Sequence, residues 1–258
     1  MASNEIQSLS RAIAILDCFS VEKPQLGVRE LGRMLDMSAS TVGRLLAALN
    51  ASGILNQDPA SRLYRMGPRV MAWSAVYTDS LDVRESARPM LEELHRLTNE
   101  TVSLYMLERD HRLCVARIES KEPVRVVIRV GEQMPLHAGS AGKALLAFMP
   151  VAEAEKILDG PLGKMTQNTI VSRRALGKEL EAIRARGYAT SHGERFEDAI
   201  GVAAPVFDAE GRVIAALNVA GPKMRFTDAH VVKFGAKIVQ LADKLSSLLG
   251  YDGEAKGK

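Results

Sequence analysis

Two short apolar stripes at helical spacing, separated by only three residues, constrain this chain more than anything else in it. Leu31, Met34 and Leu35 mark the first, and Val42, Leu45, Leu46 and Leu49 mark the second after Asp36-Met37-Ser38. Helices this short are stable only when their apolar faces pack on something, and three residues leave room for a tight turn alone, so the two pack together. Ser38 predicts the start of the second helix, with its hydroxyl placed to accept from the amide of Thr41. Ser52-Gly53 ends that helix. Ile54-Leu55-Asn56 and Leu63-Tyr64-Arg65 then alternate like strands around Asp58-Pro59-Ala60-Ser61, a turn-forming cluster. Residues 27–67 therefore read as a helix-turn-helix followed by a hairpin wing.

The outer face of the second helix carries Ser40, Gly43, Arg44 and Ala47, small or polar groups that let a backbone approach a base-pair edge, with one guanidinium for guanine or phosphate. Such a unit commonly places its second helix in the major groove of double-stranded DNA. Ser38, Ala39, Ser40, Thr41 and Arg44 are the expected groove contacts, while Arg11, Arg62 near the hairpin tip and Arg65 are placed for phosphate. The alternative is a winged module that binds protein. Residues 1–78 hold eight Lys or Arg against six Asp or Glu, so placement rather than bulk charge would have to carry DNA affinity.

At 258 residues, 47% hydrophobic and with a net charge of +3, the chain has material for two ordinary cores. It contains no run of eighteen apolar residues and begins without a basic-then-apolar leader, which predicts a cytoplasmic protein with no membrane association. Cys18 and Cys114 lack zinc or redox spacing and read as small core residues.

Before the helix-turn-helix, Ser10 to Phe19 predicts a helix capped by Ser8 or Ser10 that completes a three-helix core. After the wing, 68–77 and 82–98 read as helices, the first bearing a stripe of Val70, Trp73 and Val76 or Tyr77 that it cannot bury by itself. A partner subunit or the winged domain would cover that stripe. From Thr101 the pattern changes to strands at 101–108, 112–119 and 124–130, helices near 141–149, 151–159 and 173–186, strands at 199–207 and 212–220, and a last helix at 227–249. The result is an α+β domain on a mainly antiparallel sheet.

Two of those strands have a thin-walled face. Ala199, Gly201 and Ala203 oppose Ile200, Val202 and Val206, and Ile214, Ala216, Asn218 and Ala220 oppose Val213, Leu217 and Val219. Small residues there either leave a cavity or admit a closely packed helix. His137-Ala-Gly-Ser-Ala-Gly-Lys143 opens a helix with free backbone N–H groups suited to a carboxylate, which points to a small organic acid. It is not a phosphate loop: His137 stands where the first glycine would be, and Ala144 follows the lysine. Lys143 reads as a snorkelling or capping side chain, and Glu194 and Arg195 as a solvated loop beside a polar lid at Ser191-His192-Gly193. His192-x-Glu194 lacks the cysteines of a zinc deaminase, no catalytic triad stands out, and neither an enzymatic activity, a cofactor nor a metal is expected.

Taken in order, Ser8-Leu-Ser-Arg-Ala-Ile-Ala-Ile-Leu16, Ser40-Thr-Val-Gly-Arg-Leu-Leu46, Leu136-His-Ala-Gly-Ser-Ala-Gly-Lys-Ala-Leu-Leu146, Gly187-Tyr188 with Glu194, Ala203-Ala-Pro-Val206 and Ala215-Ala-Leu-Asn-Val-Ala-Gly-Pro222 resemble the IclR family of bacterial transcription regulators. The resemblance implies a winged helix-turn-helix domain over 1–67, a linker helix over 68–80 that helps dimerise it, a GAF-like effector-binding domain over 81–250 and a disordered tail over 251–258. It implies homodimers that often pair into tetramers, and operator binding modulated by a small-molecule effector. The family's effector pocket maps onto Ser140, Ala141, Ser191, Gly201, Asn218 and Ala220, with Val124 and Val126 as further wall residues. Ser191 and the small Gly201 favour an effector bulkier than a short aliphatic acid, such as an aromatic acid. The competing class is a ligand-binding or enzymatic module with a regulatory winged domain.

Overall fold

The computed structural model describes residues 7–20, 22–79 and 82–253, and the chain divides into two units, Met1–Ser80 and Leu81–Lys258. Unit one contains α1 (Gln7–Asp17), α2 (Val28–Met34), α3 (Ala39–Ala51), strands β1 (Leu55–Gln57) and β2 (Tyr64–Met66), and α4 (Pro68–Asp79). Ile15, Leu26, Leu31, Val42, Leu46, Leu49, Leu55 and Tyr64 form its core. Met34, expected on the packed face of the helix-turn-helix, is 46% exposed, and Leu31 with the half-buried Leu35 holds α2 instead. The turn closes tightly because Asp36 adopts φ +49 and Gly32 lies where a Cβ would come within 2.9 Å of the Met37 carbonyl. Neither Ser8 nor Ser10 caps α1, since both lie inside it.

The wing pairs Leu55 with Met66, Asn56 with Arg65 and Gln57 with Tyr64, and Leu26 bridges to Tyr64 as a third edge. Asp58 organises the turn: one carboxylate oxygen accepts from the amides of Ala60 and Ser61 and from the Ser61 hydroxyl.

Unit two is built on a six-stranded antiparallel sheet in the order β5-β4-β3-β8-β7-β6, from β3 (Thr101–Glu108), β4 (His111–Ile118), β5 (Gln133–Pro135), β6 (Ala189–His192), β7 (Ala199–Phe207) and β8 (Val213–Pro222). Helices α5 (Asp82–Thr98) and α9 (Asp228–Leu248) cover one face, packing Leu94, Phe234, Ile238 and Leu241 on Leu104, Val202, Leu217 and Val219. Helices α6 (Ser140–Phe148), α7 (Val151–Asp159) and α8 (Arg173–Arg186) contribute to the core on the other, where Leu145, Leu176 and Ile183 meet Tyr105, Ala203 and Ala216.

Four features differ from the sequence pattern. Residues 124–130 are not a strand: their carbonyls are taken by side chains, with Arg225 on Val124, Thr101 on Val126 and Arg117 on Ile128, so they run beside the sheet without joining it. Short β6, too brief to show a period, is a sheet edge instead. A register shift between Val206 and Phe207, where the partner skips from Ala215 to Val213, turns Val213 onto the α6 face and away from Leu217 and Val219. At the chain's end, Tyr251 belongs to the fold rather than to a tail: its ring lies 5.1 Å from that of Phe207 and its amide bonds to Ser246. Residues 254–258 lie outside the described residues.

Candidate functional site

In unit one, α3 begins where the Ser38 hydroxyl accepts from the Thr41 amide at 3.2 Å, and the same oxygen meets the hydroxyls of Ser40 and Thr41 at 3.0 and 2.9 Å. Ala39, Ser40, Arg44 and Ala47 stand exposed along the outer face of the helix, with Thr41 half-buried at its start. Arg62 occupies the hairpin turn with φ +60, fully outside the core, and Arg65 is exposed on β2. Arg11 is half-buried on α1, lining a groove with Leu35, Asp36 and Met37 of the helix-turn-helix turn.

In unit two the thin-walled strand faces and the N-terminus of α6 enclose a cavity of about 50 Å³. Val126, Ser140, Ala141, Ser191, Gly201, Asn218 and Ala220 all line it, together with Tyr105, Arg112, Ile128, Arg195, Phe196 and Ile200. Val124 does not: it is 57% exposed on an adjoining cleft. Helix packing and cavity prove to be the same arrangement, because a Cβ on Gly201 would stand 2.5 Å from the Ser140 hydroxyl. Gly201 lets α6 approach, and what remains beside it is the cavity.

The polar groups around this space fall into two hydrogen-bonded sets. Ser140 donates to Asn218 Oδ1 at 2.7 Å, and Asn218 Nδ2 donates to the Ser103 hydroxyl at 3.2 Å. Glu194 is buried, not solvated. One of its oxygens accepts from the Gly139 amide at 2.9 Å and the other from Lys143 at 2.5 Å, while Thr169 donates to its carbonyl. Lys143 is therefore neither snorkelling nor free, since its ammonium is buried between Glu194 and Glu179. The protein's own carboxylate thus holds one amide at the start of α6, and among the described residues the amides of Ser140 and Ala141 keep no protein acceptor. Arg195, only 13% exposed, pairs with Glu132 at 2.5 Å.

Arg112 is the least expected member. It lies 2% exposed on the inward face of β4, in phase with Cys114, and the alternation of His-Arg-Leu-Cys was the signal that could have revealed it. Its guanidinium donates to the carbonyls of Pro135 and Ala138 and sits over the Tyr105 ring, 5.4 Å from the centroid. Its Nε is a buried nitrogen without a hydrogen-bond partner, and among the described residues no carboxylate forms an ion pair with it. Burial lowers its pKa to about 10, which leaves it charged at neutral pH, and burial likewise raises the Tyr105 hydroxyl to about 12. Cys114, also buried, is pushed up to about 12 and stays a thiol, whereas Cys18 is half-buried.

A winged helix-turn-helix in one unit and a cavity-bearing α+β unit in the other define a DNA-binding transcriptional regulator. The IclR helix-turn-helix domain matches residues 8–59, and the bacterial transcriptional regulator IclR C-terminal domain matches residues 75–247. The chain belongs to the IclR family. It is 34% identical over 247 residues to the HTH-type transcriptional regulator XynR of Escherichia coli strain K12, covering 95% of this chain and 98% of that one. An IclR transcriptional regulator from Alicyclobacillus acidocaldarius shares the fold at a TM-score of 0.84 and 25% identity, over 95% of this chain and all (100%) of that one. An IclR homolog from Microbacterium hydrocarbonoxydans, solved in complex with 4-hydroxybenzoate, has a TM-score of 0.79 at 27% identity and covers 93% of this chain and 99% of that one. Curated relatives carry the names of transcriptional regulators and repressors, not of enzymes. Among the described residues no helix is long and apolar enough to cross a membrane.

Proposed function

We propose that this regulator binds its operator through α3 and the wing, and that a small organic acid in the cavity of unit two changes that affinity. The observation that carries the second half is Arg112. Its guanidinium is buried, its Nε has no hydrogen-bond partner, and Glu194 and Glu132 stabilise its charge without forming an ion pair with it, so an anion bound next to it would offset part of the cost of burial. The two open amides at the start of α6 lie on the same cavity, so a carboxylate would meet a full charge and a helix N-terminus together. Tyr105, Val126, Ile128, Phe196 and Ile200 give the cavity apolar walls, and the 4-hydroxybenzoate complex of the related structure supports an aromatic acid, seated here by its carboxylate end, as one such ligand.

On the DNA side, Ser40, Thr41, Ala39 and Arg44 face the groove while Arg11, Arg62 and Arg65 meet phosphates; Ser38 contributes mainly as the cap that sets where the helix starts. The exposed Met71, Trp73 and Val76 of α4, at 73, 52 and 71%, support a homo-oligomer that covers them, which would place two reading helices on one operator in the cytoplasm. Effector and operator are then linked through two arrangements of the oligomer, each ligand favouring one.

The test is binding of the purified protein to its own upstream DNA and to a scrambled duplex, with and without a pool of aliphatic and aromatic carboxylic acids. Sequence-preferring binding that the pool shifts is expected, and an Arg112→Lys variant that still melts cooperatively should lose the shift. Binding indifferent to every acid would remove the effector assignment.

A further inference from the structure

The inner cavity, at about 50 Å³, holds a few water molecules and cannot contain even one aromatic ring with its carboxylate, whose pockets usually measure about 300 Å³ or more. Two clefts of about 380 and 330 Å³ lie against it, and Phe196 lines the cavity and both clefts. The first cleft sets Arg129, Glu132 and Arg195 beside Val127 and Met165, whereas the second is the more apolar, with Val124, Val126, Val127, Ala199 and Pro222 against Arg125 and Asp198. We propose that Phe196 is the specificity-determining gate of the site, and that the effector is an acid whose apolar body extends past this ring onto Val124 and Val127. This rests on the assignment of the cavity to an organic acid.

The wall is pinned nearly everywhere else. On one side the carbonyls of Val124, Val126 and Ile128 are each held by a side chain. On the other, Gly193 is held through its carbonyl by Thr166 and through its amide by Ala199, Glu194 by Lys143, Gly139 and Thr169, and Arg195 by Glu132. The Phe196 carbonyl is likewise held, by the Ala199 amide at 3.0 Å, but its ring is 43% exposed and is held only by stacking under the Arg195 guanidinium, 4.4 Å from the ring centroid. Turning the ring breaks no hydrogen bond, only its stacking on the Arg195 guanidinium. Phe196 lies with Val126 and Ala199 between the anion-binding cavity and the apolar cleft, and rotation of its large ring joins the two. The large exposed side chains Val124 and Val127, 57 and 46% exposed, are the surface that a ligand body would cover.

Calorimetric titration of the full chain, with propionate as an acid that ends within the inner cavity and 4-phenylbenzoate as one that does not, separates the possibilities. Phe196→Ala should favour 4-phenylbenzoate over propionate by about tenfold relative to the parent, and Phe196→Trp should shift the ratio by a similar factor the other way. The two acids should compete. Opposite shifts from a smaller and a larger ring are not a signature of general destabilisation, and thermal melts of both variants report folding directly. If both acids bind and compete but the ratio stays within twofold in both variants, the gate is wrong and the acid site stands. If neither acid binds the parent or either variant, the acid site and the gate fall together.

Discussion

Single side chains decide whether the cavity exists and what charge it offers. Gly201 has room for a hydrogen and not for a methyl group beside Ser140. Gly201→Ala should cost about 1–3 kcal/mol in chemical denaturation through overpacking, and should weaken acid binding in calorimetry. Among the described residues, Lys143 and Glu194 form the one ion pair whose charges are both almost entirely buried, at 2 and 6% side-chain exposure. Lys143→Met leaves the Glu194 carboxylate without its cation and should cost about 3–5 kcal/mol in urea unfolding, and Lys143→Met with Glu194→Gln should recover much of it because no buried charge is then stranded. A loss in the double variant as large as in the single one would show that packing rather than charge holds this corner. Arg112 and Arg195 complete the pattern in different ways, since Arg195 has Glu132 for a partner and Arg112 has carbonyls, the Met134 sulfur and an aromatic face.

At the level of elements, α3 and the wing are set by local chemistry. Removing the cap hydroxyl with Ser38→Ala should cost about 1 kcal/mol of stability and weaken specific DNA binding modestly, read by melting and by titration with the operator. Arg44→Ala leaves the helix intact and should cost about 1–3 kcal/mol on specific DNA, with unchanged affinity removing Arg44 from the interface. The wing carries a pH dependence of its own. The Ser61 amide, with its hydroxyl and the Ala60 amide, holds the Asp58 carboxyl below its ordinary value of 3.8. A lowered folded value means that the turn's contribution is complete above the ordinary value and is lost as the pH falls through the lowered one. Exchange of the Ser61 amide should therefore stay slow at pH 5 and accelerate in that acidic range, and in Asp58→Ala it should be fast throughout.

For the molecule as a whole, each unit has its own core, eight buried apolar side chains in unit one and two clusters on either face of the sheet in unit two. The stripe of Met71, Trp73 and Val76 on α4 is exposed within the chain, so Trp73→Glu should lower the oligomeric mass measured by light scattering, with the melt of the sheet-bearing unit unchanged. A mass unaffected by this change would place the oligomer contact elsewhere. Losing the oligomer should also steepen the concentration dependence of operator binding, because two reading helices would no longer arrive together.

Much of this protein is written in local patterns. The two helices around Asp36-Met37-Ser38, the cap at Ser38, the Asp58 turn and the alternation of β7 depend on spacing and on side chains reaching backbone three or four residues away, which a linear sequence displays. So does the small-residue face formed by Gly201, Asn218 and Ala220. What depends on partners distant in sequence was not legible. Residues 124–130 have a strand's composition, yet Thr101, Arg117 and Arg225 take their carbonyls, and Glu194 reads as solvated until Gly139 and Lys143, more than fifty residues away, close on it. Arg112 looks like an ordinary strand arginine. Only the fold buries it, brings α6 against it across Gly142, and leaves its charge facing a cavity without an ion-pair partner, because desolvation and distance are properties of three-dimensional packing and not of neighbours along the chain.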